Sequence, residues 1–242
     1  SKTKPAVRLV HNVFSNNGAN AQLMHGRIAR YYNLPAVSMQ STIYPEVVAG
    51  RIENREITPD DLHPNDAGHA LVASVITYFL DKVKTEDSTE QSEPDYPTPL
   101  TKNTYEKSIR HQNSDENVVC HGFVADTSAQ RDITDCFKHG WTASKKGDSI
   151  TLDVEGCNIS GQYRISVIVP APVAEIIVDG DAVHAVRLDA NFDETWGDKL
   201  ELDTILEHGE NKVHKVEVRL TETHENDAVP IYLVSVIDYS EK

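Results

Sequence analysis

DDLHPNDAGH, residues 60–69, sets Asp60, Asp61, His63, Asn65, Asp66 and His69 around Pro64, directly ahead of a long apolar run. Asp60 and His63 stand in the relation D-x-x-H. A short irregular turn with that spacing points both side chains into one cleft, the carboxylate accepting a hydrogen bond from the imidazole. Such a bond fixes the tautomer, stabilises the imidazolium and leaves the other ring nitrogen to take a proton from a serine hydroxyl. Pro64 stiffens the turn, and Asn65 or Asp66 is placed to cap a helix beginning near Ala67. Asp61 is expected to face solvent and His69 to pack in the first helical turns. A plain capping turn with incidental His and Asp is the bland alternative. A metal held by His63 and His69 is weaker still, because their spacing is not the i, i+4 that puts two imidazoles on one helix face.

Outward from this block, the first 84 residues alternate strand and helix. AVRLVHNVF (6–14) and LPAVSM (34–39) have the length and content of buried strands. Between them, SNNGANAQLMHGRIARYYN reads as a helix with Leu23, Ile28 and Tyr31 or Tyr32 on one buried face, capped by Ser15, Asn16 or Asn17. Residues 40–59 are irregular. NDAGHALVASVITYFLDKVK (65–84) is helical, with Leu71, Val75, Tyr78 and Phe79 expected on its buried stripe. This order favours a parallel sheet of the α/β class. Residues 85–103 are a linker by composition, and the period then changes. Segments at 118–124, 149–155, 163–169, 174–180, 183–188, 213–220 and 231–238 suit short strands of an all-β sandwich spanning 104–242.

The 60–69 block is similar to the D-x-x-H-P-N-x-x-G-H pattern of the SGNH (GDSL-like) hydrolases. The resemblance implies a flavodoxin-like three-layer α/β/α sandwich and ester hydrolysis through an acyl-serine, with His63 as general base and Asp60 as its orienter. In that family the nucleophile block, G-D-S after an apolar strand, precedes D-x-x-H, as do the Gly and Asn oxyanion blocks. Nothing N-terminal to residue 60 supplies them here. Gly147, Asp148 and Ser149 in KKGDSITL follow lysines and enter a strand, which a turn at a strand edge explains. SNNGAN lies between what are expected to be the last two strands of the sheet, so it does not fit the Asn block. The chain is therefore expected to carry the C-terminal half of a hydrolase domain, residues 1–84. Its apolar face, with Val7, Leu9, Val10, Val13, Leu34, Ala36 and Val37, calls for a partner: the missing N-terminal hydrolase segment or a second copy.

Beyond the linker, HGWTASKKGDSITLDVEG, IIVDGD and VHKVEVRL…IYLVSVID resemble the jelly-roll modules attached to SGNH carbohydrate esterases. That resemblance points the substrate toward an acylated carbohydrate, the triad remnant alone implying only a small ester. Trp141 and Trp196 are candidates for stacking on sugar rings, against the commoner role of core residues. Asp179 and Asp181 flank Gly180 as a hairpin turn requires, a reading preferred over calcium contact. Neither a metal nor an organic cofactor is implied. The net charge of −15 argues against a nucleic-acid partner, and no apolar run approaches the ~18 residues of a membrane span. The three cysteines share no metal-ligand spacing and read as free thiols. The alternative function is a noncatalytic carbohydrate-binding or interaction fragment.

Overall fold

The computed structural model describes residues 7–85, 97–101 and 107–240. It divides into two compact units, Ser1–Leu100 and Thr101–Lys242. The linker expected at 85–103 lies outside the described residues except for Thr85 and 97–101.

In the first unit, β1 (Leu9–His11) and β2 (Ala36–Ser38) pair in parallel, Val10 opposite Val37. Helix α1 (Gln22–Tyr31) connects them, and α2 (Ile43–Val48), α3 (Asn54–Ile57) and α4 (Asp66–Thr85) follow. Side chains alternate across the strands, so each face of the pair meets a different helix. On one face His11 stacks on His25 of α1, ring centroids 6.0 Å apart, and the Ser38 hydroxyl donates to Gln22. On the other, Val13, Val37 and Met39 pack against Val72, Val75, Ile76 and Phe79 of α4, a stripe at i, i+3, i+4 and i+7. Tyr78, expected on that stripe, is exposed, one residue's rotation away from it.

Helix α1 also departs from expectation. It begins at Gln22, whose N–H bonds to Asn20 Oδ1 at 2.8 Å, so Ser15, Asn16 and Asn17 lie in a loop and do not cap it. Ala29 is its buried residue, while Leu23 (76% exposed), Ile28 and Tyr31 face outward. The apolar stripe read as core has no layer over it among the described residues. Tyr31 Oη donates to Thr98 O at 2.6 Å, and Leu100 N–H donates to Tyr32 Oη at 3.1 Å, which ties 98–100 to this helix.

The second unit is a β-sandwich. Its strands are β3 (Ile109–His111), β4 (Val118–His121), β5 (Val124–Ala125), β6 (Trp141–Ala143), β7 (Ser149–Gly156), β8 (Asn158–Ile165), β9 (Val173–Val178), β10 (Val186–Asp189), β11 (Lys199–Leu206), β12 (Lys212–Glu222) and β13 (Ile231–Tyr239). One sheet has the order β10-β9-β12-β7-β4 and the other β11-β8-β13-β6-β5, with β3 also on β13. The core joins inward residues of both sheets, among them Ile150, Leu152, Val216, Val218 and Leu220 from one and Ile159, Leu233 and Val236 from the other.

Several expected strands shift. The segment 118–124 splits at Gly122, φ +86°, where a Cβ would lie 2.0 Å from Asp148 Oδ1, and β5 pairs in the opposite sheet. On β12, Val213 is exposed and His214 is buried, its Nδ1 on Asp179 at 2.8 Å and its Nε2 on Glu210 O at 2.9 Å. The segment 163–169 ends as strand at Ile165, and β8 instead begins at Asn158. Short β3 and β6 and the charged β11 had no strand reading.

At one end of the sandwich His111 bridges two carboxylates, its Nδ1 2.7 Å from Asp115 and its Nε2 2.8 Å from Asp238. Asp238 is 1% exposed, and its Oδ1 has no hydrogen-bond partner among the described residues. With a carboxylate on each nitrogen the ring carries both protons, and the bond to Asp238 above all raises its pKa, against an opposing effect of burial. A raised folded-state value stabilises fully below the unfolded value of about 6.5 and ceases to do so as pH rises through the folded value. The midpoint of thermal unfolding of this unit is therefore expected to fall as pH is raised above neutrality. His111→Gln should flatten that dependence and cost roughly 1–3 kcal/mol at pH 6 in urea unfolding, because buried Asp238 loses its donor.

Candidate active site

The turn between α3 and α4 carries Asp60 and His63. Asn65 N–H donates to Ile57 O at 3.0 Å and Asn65 Nδ2 to Glu56 O at 3.0 Å, so the loop closes on itself at its base. Asn65 is also the helix cap: its Oδ1 accepts from Gly68 N–H at 3.0 Å, and its carbonyl takes the first helical bond from His69 N–H at 2.8 Å. Gly68 is required by close approach, since a Cβ there would lie 2.2 Å from Ile57 O and 2.9 Å from Pro64 Cβ. The Asn and Gly of the block thus hold the loop, while Asp60 and His63 project from it.

Asp60 Oδ1 accepts from the N–H of His63 at 2.8 Å and of Leu62 at 3.1 Å, and Oδ2 lies 2.6 Å from His63 Nδ1. These donors, the His63 backbone N–H first and its imidazole next, hold the Asp60 carboxyl well below the usual carboxylate range. An ionised carboxylate only accepts, so Nδ1 is the donor of the pair, and in the neutral ring Nε2 then presents its lone pair. Both side chains are exposed, and Nε2 has no hydrogen-bond partner among the described residues.

The loop that leaves β1 braces the turn from the side. Asn12 Nδ2 donates to Leu62 O at 3.2 Å, and the Ser15 N–H and Oγ donate to Asp61 O at 2.8 and 2.9 Å. The pair therefore sits past the carboxyl end of β1, where ligands of parallel α/β sheets bind. Asp61 does not face solvent. It is half-buried, and Asn16, Asn54 and Arg55 all donate to its carboxylate. His69 does not pack but is exposed on α4. None of these bracing roles was read from the sequence; Asn12 and Asn16, in the amide-rich run after β1, are the signal that could have pointed to them.

The other candidates separate. Trp141 is 2% exposed in the sandwich core, paired with Leu233, so it offers no ring face to a sugar and its assignment as substrate-binding is corrected. Trp196 is 64% exposed and packs roughly perpendicular to Phe192, ring centroids 5.1 Å apart. Asp179 and Asp181 serve the turn: Asp179, φ +52°, accepts from Lys215 N–H at 2.9 Å, and Asp181 accepts from Val183 and His184 N–H. Ser149 opens β7 after a turn in which Asp148 accepts from Lys145 N–H at 2.9 Å. Among the described residues no His, Cys, Asp and Glu side chains group as metal ligands.

No family model matches the chain. No curated protein is similar to it. Among solved structures it is similar to a two-domain esterase (CEX) active on acetylated mannans, with 95% identity over 100% of this chain and 65% of that one and a TM-score of 0.93. The same two-domain esterase co-crystallised with mannopentaose matches at 92% identity over 100% of this chain and 64% of that one, TM-score 0.91. The chain thus spans about 65% of the length of the esterase structure it matches.

Gly68→Ala is expected to push α4 off Ile57 and to destabilise the first unit by about 1–3 kcal/mol, as overpacking does. Asn65→Ala should cost about 1 kcal/mol through the lost cap alone. Urea unfolding followed by α4 helicity checks both, and a silent Gly68→Ala would contradict the close approach described here.

Proposed function

We propose that this chain supplies the acid–base half of a serine ester hydrolase acting on acylated carbohydrate, of the SGNH type. The observation that carries the reading is the Asp60–His63 pair, with Nδ1 held on the carboxylate and Nε2 open at the carboxyl end of β1. The near identity to an esterase active on acetylated mannans supports both the reaction class and the substrate. His63 Nε2 takes the proton of a serine hydroxyl as its oxygen bonds to the ester carbonyl carbon. The imidazolium then returns that proton to the departing sugar oxygen, and water repeats the two transfers to release the acid. Asp60 stays ionised throughout and steadies the imidazolium.

The serine comes from outside these residues. Ser15 is buried with its hydroxyl on Asp61 O, and no other described serine is bonded to the turn. Residues 1–84 act as part of a flavodoxin-like sheet whose remaining strands come from an upstream hydrolase segment or a second copy. The two-stranded parallel pair favours this, because such sheets are ordinarily larger and covered on both faces. Exposed Val7, Val10 and Phe14 beside β1 agree with it.

On an activated acetyl ester the 242-residue chain alone is expected to show negligible turnover and no burst. Joined to the upstream segment it should turn over, with His63→Ala abolishing activity, Asp60→Asn lowering kcat roughly ten-thousand-fold through the wrong tautomer, and Ser149→Ala changing nothing. Turnover by the chain alone that is lost in Ser149→Ala would sink the proposal.

A second reading, carbohydrate binding by the sandwich unit, is favoured by the exposure of Trp196. Trp196→Ala should weaken mannopentaose binding at least about fivefold, roughly 1 kcal/mol, by isothermal titration calorimetry. Unchanged affinity would assign the sugar elsewhere.

A further inference from the structure

The Asp60–His63 spacing occurs a second time, in the sandwich unit. His184 Nδ1 lies 2.7 Å from Asp181 Oδ2, while the N–H groups of Val183 and His184 reach Asp181 Oδ1 at 3.2 and 3.3 Å. There the residues after the aspartate run on as a short 3-10 helix, Ala182–His184, a backbone that most residues adopt without strain. The 60–63 turn takes another path to the same pairing. Asp61 has φ +74°, in the left-handed region that L-residues avoid.

The surroundings of Asp61 account for that conformation. Its carboxylate receives Asn16 Nδ2 at 3.2 Å from the loop after β1, Arg55 Nη2 at 3.1 Å and Asn54 Nδ2, the last two from α3. Its carbonyl separately holds Ser15. Two flanking segments therefore grip one residue whose backbone would otherwise relax, and that residue sits between the two members of the pair. In the 60–63 turn the N–H groups of Leu62 and His63 meet Asp60 Oδ1, and Nδ1 meets Oδ2, with Asp61 left-handed, so on this path the pairing depends on Asp61 keeping that conformation.

We propose that Asp61 is a positioning residue for the Asp60–His63 pair, its side-chain clamp on Asn16, Asn54 and Arg55 holding the left-handed turn that keeps the imidazole on Asp60. The role in catalysis rests on the reading of that pair as an acid–base dyad; the role in geometry does not. Asp61 touches neither substrate nor the transferred proton.

Asp61→Gly isolates the clamp, because glycine takes φ +74° freely and the Asp61 carbonyl remains for Ser15. The readout is the imidazole ¹⁵N spectrum of the 242-residue chain, which distinguishes the Nδ1–H from the Nε2–H tautomer, with His184 as internal reference. Wild type should show the Nδ1–H form at His63. Asp61→Gly should show a mixture with Nε2–H at His63 and an unaltered His184. Asp61→Asn, which tolerates left-handed φ and keeps an acceptor oxygen, should restore much of the Nδ1–H form. A His63 spectrum unchanged in Asp61→Gly would overturn the proposal. In the protein joined to its upstream segment, Asp61→Gly should lower kcat about tenfold with KM unmoved, the signature of misplaced catalytic groups. A tautomer change at His63 together with no esterase activity in that joined wild-type protein would retain the positioning role and reject the proposed function.

Discussion

The hydrogen bond from Asn65 N–H to the Ile57 carbonyl is the contact on which the arrangement of the first unit's candidate site depends. It closes the base of the loop that carries Asp60 and His63, and the same carbonyl lies where only a glycine at 68 leaves room. The start of α4 is thereby fixed against the end of α3, and α4 in turn covers Val37 and Met39. Displace that carbonyl and three things move together: the cap on α4, the packing beneath the parallel pair and the aim of the imidazole. Rigid support of this kind is what a proton-transferring group needs, since small misplacements of reacting groups are expensive in rate.

The sandwich depends on a different economy of polar groups. Its central strand β13 is buried along nearly its whole length, with β8 on one side and β3 and β6 sharing the other. Polar side chains on β8 are kept inside because neighbouring strands answer them: Ser235 Oγ of β13 donates to Gln162 Oε1 at 2.8 Å, and Tyr163 Oη donates to Asp203 of β11 at 2.9 Å. Burial, and after it the bond to the Asp203 carboxylate, push the Tyr163 hydroxyl well above its ordinary range, so it remains a donor. His111 performs the same service for Asp238 by carrying charge into a site otherwise closed to it.

What was legible in the sequence follows from these two patterns. Helix α4 and the Asp60–His63 pair were readable because spacing at i, i+3 and i, i+4 maps directly onto local geometry. The bland alternative is instructive too, for Asp181 and His184 make the same local pairing with none of the surrounding block. In the turn at 181–184 the spacing suffices for the hydrogen bond, whereas at 60–63 the bonds of Asn65, the close approach at Gly68 and the donors to Asp61 surround the pair with a braced loop. The first half of β8 was missed because Asn158, Ser160, Gly161 and Gln162 look like loop residues, and only their cross-strand partners make them fit for burial. Strand β11 was missed because its lysine and acidic residues, half-buried on an edge strand, interrupt the apolar pattern. The outward stripe of α1 misled in the opposite sense, its apolar residues lacking a described layer to bury them.

The placement of β13 also bears on how the sandwich is made in time. Its Val236 pairs with His111 of β3, and the His111–Asp238 bond spans 127 positions of sequence. Strands β3, β6 and β8 each lack their β13 neighbour until that strand has left the ribosome. At ordinary synthesis rates of roughly 5–20 residues per second, β3 waits for several seconds with its edge open. Exposed β edges in a nascent chain are the surfaces that chaperones recognise and that neighbouring chains on a polysome can capture. The C-terminal strand of this unit is thus the one that closes it, and a ribosome stalled before β13 would leave a sheet with its centre missing.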